Sequence, residues 1–387
     1  MKPNARMHTE SADGLIRRWN QFWFTPADPT VLGLIRISCG LITLYVHLAY
    51  SFDLQQFFGR DAWLNLPLAN EYRKEAPWIA PGSDWSESPV PPALPSDAET
   101  RDRVENYAKK WGLDPRLAVS QGNAYFSLWF HLTAPWAQSL AHVGILSIML
   151  LFTLGYSTRV TAVLTWLAAL SYIQRSQITL FGMDTMMNVL LFYLMISPCG
   201  AALSIDRWLA RRRLGLEGTS MLLDRPEPLV SANLGLRLIQ VHFCFIYMAA
   251  GLSKLMGGSW WNGTALWVTL ANYEFTPMRF TYYVETLRWL CRHRWLWEIV
   301  MMSGTLYTLA LEISFAFLVW RPRYRSWMIV GSVLLHTGIA FTMGLIGFGL
   351  FMLTMVLAFV PARTVHTHLV FFSSRLQTRL NVAFAPR

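Results

Sequence analysis

Apolar runs long enough to cross a bilayer, separated by short arginine-rich breaks, constrain this chain more tightly than any other feature. The first, VLGLIRISCGLITLYVHLAY (Val31–Tyr50), holds one arginine, Arg36, and no acidic residue. A crossing helix needs about 20 mostly apolar residues, because in lipid every backbone N–H and C=O must find a partner inside the protein. Comparable runs fall at about 136–156, 159–174, 183–203, 234–256, 297–320, 326–344 and 346–361. The last two join through the glycine-rich MGLIGFG (Met343–Gly349), so seven or nine spans are the alternatives. The pattern predicts an all-α polytopic membrane bundle of about eight transmembrane helices.

The short breaks orient it. Arg17 and Arg18 precede the first run, DRWLARRR (Asp206–Arg213) follows the fourth, and RPRYR (Arg321–Arg325) separates the sixth from the seventh. With eight spans all three lie on one side, which the excess of arginine makes cytoplasmic. The expected plan is a cytoplasmic tail at 1–28, a membrane domain at 29–361 with outer loops at about 51–135 and 257–296, and a cytoplasmic tail at 362–387. A cell-membrane, multi-pass protein with both termini inside follows. Arg175 is the exception, on the outer side. The first loop carries the proline-rich ESPVPPALPSD and then AETRDRVENYAKKWG, which reads as a short surface helix; the second is rich in tryptophan and tyrosine, which favour the interface.

The length of 387 residues would by itself permit two or three soluble domains. A chain that is 53% hydrophobic and 14% charged overrides that prior. The net charge of +10 is carried by arginines beside apolar runs, and no soluble segment shows a basic stripe, so the expected partners are membrane lipids and not nucleic acid. Cys39, Cys199 and Cys244 fall within apolar runs and read as buried structural thiols, while Cys291 stands alone in a loop; no CxxC pair is present. Neither a P-loop, nor GxSxG, nor HExxH occurs, and the histidines have no metal-site spacing.

Function must then come from ionisable groups inside the membrane, which are costly there. Arg36 reads as an anchor or an internal partner. Asp184, one turn before Asn188, can cap a helix start or belong to a site. Glu312 and His336 are expensive facing lipid; they either pair with each other or with polar neighbours, or handle protons. Lys254 stands out by contrast. The chain has 28 arginines and five lysines, and Lys254 is the one lysine beyond residue 110. Anchoring by a snorkelling stem is one reading. A titratable base is the other, since arginine keeps its proton and a desolvated lysine can give it up. Tyr247, seven residues earlier, shares its helical stripe.

These residues sit in segments that resemble a known family. FTPADPTVLGLIRISCGLITLYVHLAYSFDLQQFFGRDAW (Phe24–Trp63), YMAAGLSKLMGGSWWNG (Tyr247–Gly263) and LLHTGIAFTMGLIGFGLFML (Leu334–Leu353) resemble, in that order, segments of the vitamin K-dependent γ-carboxylases and their bacterial relatives, the horizontally transferred transmembrane domain family. The resemblance covers about residues 24–361. It implies that a neutral lysine, matched here by Lys254, deprotonates a reduced quinone of the vitamin K or menaquinone type, and that the oxygenated quinone drives carboxylation of a substrate glutamate. His336 and Glu312 join Lys254 as candidate catalytic residues. Tyr247, Gln177, Asp184, Trp260 and Trp261 are the candidate ligand-binding residues, Gln177 standing where the carboxylases carry a histidine. The implied cofactor is a reduced quinone, with no metal, and the implied partner a peptide or protein substrate. A bacterial-type member without the carboxylases' outer domain is expected, acting as a lyase. A non-catalytic accessory protein for maturing or exporting a peptide is the alternative, with a transporter third.

Overall fold

The computed structural model describes residues 4–74, 98–112, 126–215 and 224–383. These residues are helical, with no strand among them; one isolated antiparallel bridge joins Ala27 to Leu229. The helices are α1 (Asn4–Phe24), α2 (Thr30–Tyr50), α3 (Leu54–Phe58), α4 (Leu66–Lys74), α5 (Ala98–Trp111), α6 (Pro135–Leu154), α7 (Thr158–Arg175) and α8 (Gly182–Ile196). They continue as α9 (Ile205–Arg213), α10 (Val230–Lys254), α11 (Gly258–Trp261), α12 (Ala265–Leu270) and α13 (Thr281–Arg292). The last four are α14 (Arg294–Leu318), α15 (Pro322–Thr342), α16 (Ile346–Val356) and α17 (Ala362–Ala383). The surface helix read at AETRDRVENYAKKWG is α5, and ESPVPPALPSD lies outside the described residues. Cys291, expected in a loop, is an exposed residue of α13.

Each of the eight apolar runs corresponds to a helix, but not each is a span by length and hydropathy. α2, α6, α10 and α14 are long and apolar enough to cross a membrane. A fifth is reached if 346–359 and 362–371, bent by 109°, count as one. The expected count of eight is therefore not met by these criteria, for local reasons. α7 carries Thr158, Arg159, Thr161, Thr165 and Arg175, which lower its hydropathy. α8 stops at Ile196 instead of reaching 203, because Pro198 cannot donate and disfavours helix in the residue before it. α15 opens on Pro322 with Arg323 and Arg325 in its first turn. On the helices that qualify, large apolar side chains face outwards: Leu140 is 67% exposed, Phe245 69% and Leu306 57%. Such surfaces are rare on soluble monomers and suit lipid.

The chain divides into two compact units, 1–46 with 147–166 and 181–387, and 47–146 with 167–180; the division falls inside α2, α6 and α7. In the larger unit α10 packs against α14, α15 against α14 and α16, and α16 against α8. Aromatic rings fill the space between: Phe243 lies 5.1 Å from Phe315 and 4.5 Å from Tyr247. Arg36 is fully buried and donates to the carbonyls of Cys199 at 2.6 Å, Ala202 at 3.3 Å and Leu203 at 2.5 Å. It pairs internally, and its job is to close the carbonyls that follow α8. Gly155 lets this happen. Its φ is +75°, and a Cβ there would lie 2.8 Å from Arg36 Cζ.

In the smaller unit Arg175 is also buried. It donates to the carbonyls of Gly59 at 3.3 Å and Leu64 at 2.8 Å, and its guanidinium lies 5.7 Å from the centre of the Phe130 ring. The residue that breaks the positive-inside count is thus a loop clamp. His142 is held by Ser51 at 2.9 Å and by the Tyr172 hydroxyl at 2.6 Å, so both its ring nitrogens are partnered.

Candidate functional site

Three helices of the larger unit bring the sequence candidates together. α10 carries Tyr247, Gly251 and Lys254 at i, i+4 and i+7, one stripe of an α-helix. α14 supplies Glu312, with Phe315 on the same side, and α15 supplies Ser332 and His336 one turn apart. Gly251 sets the distance between α10 and α14. A Cβ at that position would lie 2.8 Å from Ile313 Cγ1 and 3.2 Å from Glu312 Cβ, so only glycine lets the two backbones approach this closely.

That approach places Lys254 on Glu312. Nζ donates to Oε1 at 3.0 Å and lies 2.8 Å from Oε2, off the line of a hydrogen bond. Oε2 is buried and has no hydrogen-bond donor. The glutamate side chain is 9% exposed and the lysine side chain 25%, so the carboxylate is the enclosed partner and the ammonium the one near the edge. Trp260 covers the lysine, with Nζ 5.5 Å from the centre of its ring, a distance that suits cation–π attraction.

Two turns deeper, the Tyr247 hydroxyl meets Ser332 Oγ at 2.6 Å and His336 Nε2 at 2.8 Å. The tyrosine ring rests on Phe315, centres 4.6 Å apart, and the His336 ring lies 5.8 Å from Phe348. A phenol can donate to one partner while accepting from another. In either tautomer of His336, Nδ1 is left buried without a partner. The site thus holds one polar atom with no partner, His336 Nδ1, and one, Glu312 Oε2, that is met only by the lysine charge. Buried polar atoms without partners are rare because each loses its hydration uncompensated. None of the three described cavities is lined by Lys254, Glu312 or His336.

The remaining candidates have other posts. Asp184 accepts a hydrogen bond from the Phe181 amide at 3.1 Å, closing the start of α8, which is the capping reading. Its neighbour Gly182 lies against Phe348, whose ring is 5.8 Å from that of His336: a Cβ on Gly182 would lie 3.0 Å from Phe348 Cε2. Gln177, half-buried, opens the turn Gln177–Thr179 in the smaller unit. Trp261 donates from its indole to the Leu255 carbonyl at 2.6 Å and is 74% exposed, so it seals the end of α10 instead of facing the lysine. Ser332 was not a sequence candidate; its place one turn before His336 was the available signal.

Comparison with known proteins adds no family: no family model, no curated protein and no solved structure matches the chain.

Proposed function

We propose that the chain is a multi-pass cell-membrane protein of the γ-carboxylase-like family, with about eight spans and both termini cytoplasmic, and that Lys254 is a base toward a reduced quinone. The observation that carries this reading is the Lys254–Glu312 pair, an ammonium 3.0 Å and 2.8 Å from the two oxygens of an enclosed carboxylate. An ammonium is no base, so Lys254 needs somewhere to send its proton. The carboxylate it touches is that acceptor: passing the proton from Nζ to Oε1 turns an ion pair into a neutral amine beside a carboxylic acid. In an enclosed site the neutral pair avoids the cost of burying two charges.

The groups present suit the polar ends of a reduced quinone: His336 Nδ1 lacks a partner, Glu312 Oε2 is met only by the lysine charge, and Trp260 offers a flat apolar face. Lys254, Glu312 and Trp260 would hold it. When bound it would supply an acidic phenolic proton and electrons for reaction with oxygen. Tyr247 and Ser332 fix the His336 ring through its Nε2, which keeps Nδ1 available to accept or donate. Gly251 keeps α10 against α14, so the amine and the carboxylate stay within proton-transfer distance. The substrate would be a glutamyl side chain of a peptide or protein.

A second reading is favoured by one observation. A lysine at the last residue of α10 also complements the helix dipole and is paired, as a purely structural cation would be. On that reading the protein is a non-catalytic membrane accessory for maturation or export of a peptide. The two separate on reduced-quinone-dependent and oxygen-dependent incorporation of labelled carbon dioxide into a glutamate-containing peptide, with quinone epoxide formed in parallel. Wild-type membranes that yield both products, and Lys254→Ala membranes that yield neither, support the enzyme. Wild-type membranes that yield neither product give the accessory reading the advantage.

A further inference from the structure

At the opposite end of α10 from Lys254 the larger unit contains a second site. Arg237 lies 17 residues before Lys254, roughly 25 Å along the helix, so the two sites are separate. A cavity of about 210 Å³ opens where α10 and α15 begin and where α14 and the turn after α16 end. Arg237 and Arg325 both line it, and neither makes an ion pair with a carboxylate among the described residues.

The two arginines are held in place by groups that leave part of each guanidinium open. Arg237 donates from Nε to the Phe22 carbonyl at 3.2 Å and from Nη1 to Gln240 Oε1 at 2.9 Å. Its guanidinium lies 4.3 Å from the centre of the Phe22 ring and 5.6 Å from that of Trp320. Arg325 donates from Nε to the Val319 carbonyl at 3.3 Å. Arg237 Nη2 and both Nη atoms of Arg325 have no acceptor among the described residues. Desolvated or half-buried guanidiniums without a carboxylate are costly, and the planar fork matches the oxygens of phosphate.

Asp28 lines the same cavity, and both its oxygens are engaged. Oδ1 accepts from the Thr30 amide at 2.8 Å and from its hydroxyl at 2.6 Å, and Oδ2 meets His366 Nε2 at 3.0 Å. Asp28 is thus already engaged by Thr30 and His366, and the two guanidiniums face the cavity as cations that an anionic phosphodiester would match. The remaining wall is apolar, with Val31, Leu236, Val319 and Phe359. The volume is below the roughly 300–1,000 Å³ of sites for whole drug-sized ligands, so a headgroup enters and chains stay outside.

From this geometry we infer that the Arg237–Arg325 cavity binds a phosphate group, and that its source is the phosphodiester of an anionic membrane lipid. Basic pockets between helices at the cytoplasmic side are a known physical solution for such headgroups.

The test uses the full chain purified in a neutral detergent. Lipid adducts are read by native mass spectrometry with phosphatidylglycerol or phosphatidylcholine, and thermal unfolding is read with each lipid or with inorganic phosphate. Phosphatidylglycerol is expected to bind at least tenfold more tightly than phosphatidylcholine and to raise the unfolding temperature. Arg237→Gln with Arg325→Gln should abolish the preference. Arg325→Glu does the same while leaving α10 untouched, which keeps the test sound if the double variant misfolds. Arg323→Gln, an exposed arginine off the cavity, should change nothing. Stabilisation by inorganic phosphate but not by the lipid keeps the phosphate site and reassigns its source. Equal binding of both lipids with no effect of phosphate, or an unchanged preference in Arg325→Glu, overturns the inference.

Discussion

The Lys254–Glu312 pair makes a quantitative prediction that depends on which partner is enclosed. Lys254→Met removes the cation and leaves a carboxylate, 9% exposed, with neither oxygen paired. Breaking a buried pair in that way costs about 3 kcal/mol, the low end for such pairs because the glutamate can take a proton. Glu312→Gln leaves an ammonium whose side chain is 25% exposed. It can turn to water, and the new amide oxygen still accepts from Nζ, so the cost falls to about 1 kcal/mol. Lys254→Met with Glu312→Gln leaves no charge behind and should cost only about 1.5 kcal/mol, a coupling of about 2.5 kcal/mol in the double-mutant cycle. Unfolding of the purified protein by dodecyl sulfate in mixed micelles, followed by tryptophan fluorescence, measures all four species. Single costs that add to within about 0.5 kcal/mol of the double, or a Glu312→Gln cost larger than that of Lys254→Met, would refute the description of a coupled pair with the carboxylate enclosed.

Further predictions concern single substitutions, read by the same unfolding assay unless another readout is named. Gly251→Ala puts a methyl 2.8 Å from Ile313 Cγ1 and should cost about 1–3 kcal/mol by overpacking. By contrast Gly338→Ala, where nothing lies within 4 Å, should gain about 0.5–1 kcal/mol from helix propensity. Asp184→Ala should cost about 1 kcal/mol by uncapping α8 and leave any quinone-dependent activity at the wild-type level; loss of activity with stability intact would return Asp184 to the site. Arg36→Met orphans three buried carbonyls and should cost at least about 3 kcal/mol, read as loss of folded protein from membranes, and Arg36→Lys should recover only part of it.

Different physical signals made different parts of this molecule readable in advance. Lys254 was visible because a chain that anchors with arginine uses lysine once beyond its first third. Glu312 and His336 were visible because ionisable side chains are expensive in lipid, and Tyr247 because helical spacing puts it above Lys254. Their pairing was not visible. The sequence left Glu312 and His336 to pair with each other or with polar neighbours, and the structure gives Glu312 to Lys254 and His336 to Tyr247 and Ser332. Which helices face one another is decided by tertiary packing, here by the close approach at Gly251, and no helix carries that information alone. Ser332 escaped notice because a hydroxyl in a helix can bond back to its own backbone and so costs little in lipid. Arg175 misled for a related reason: counting charges assumes exposure, and this guanidinium is buried against loop carbonyls. Helix positions were legible from the apolar runs. The number of spans was not, because α7, α8 and α15 are shortened or polarised by threonines, Pro198 and arginines.

Activity of Lys254→Arg tests the central claim most directly. Arginine keeps the positive charge and can keep the pair with Glu312, but it does not release its proton at any working pH. Membranes carrying this variant at wild-type abundance should show no reduced-quinone-dependent carbon dioxide incorporation and no epoxide, while the unfolding cost stays below about 1.5 kcal/mol. Full activity in Lys254→Arg would contradict the account, because Lys254 would then be a fixed cation and not a base.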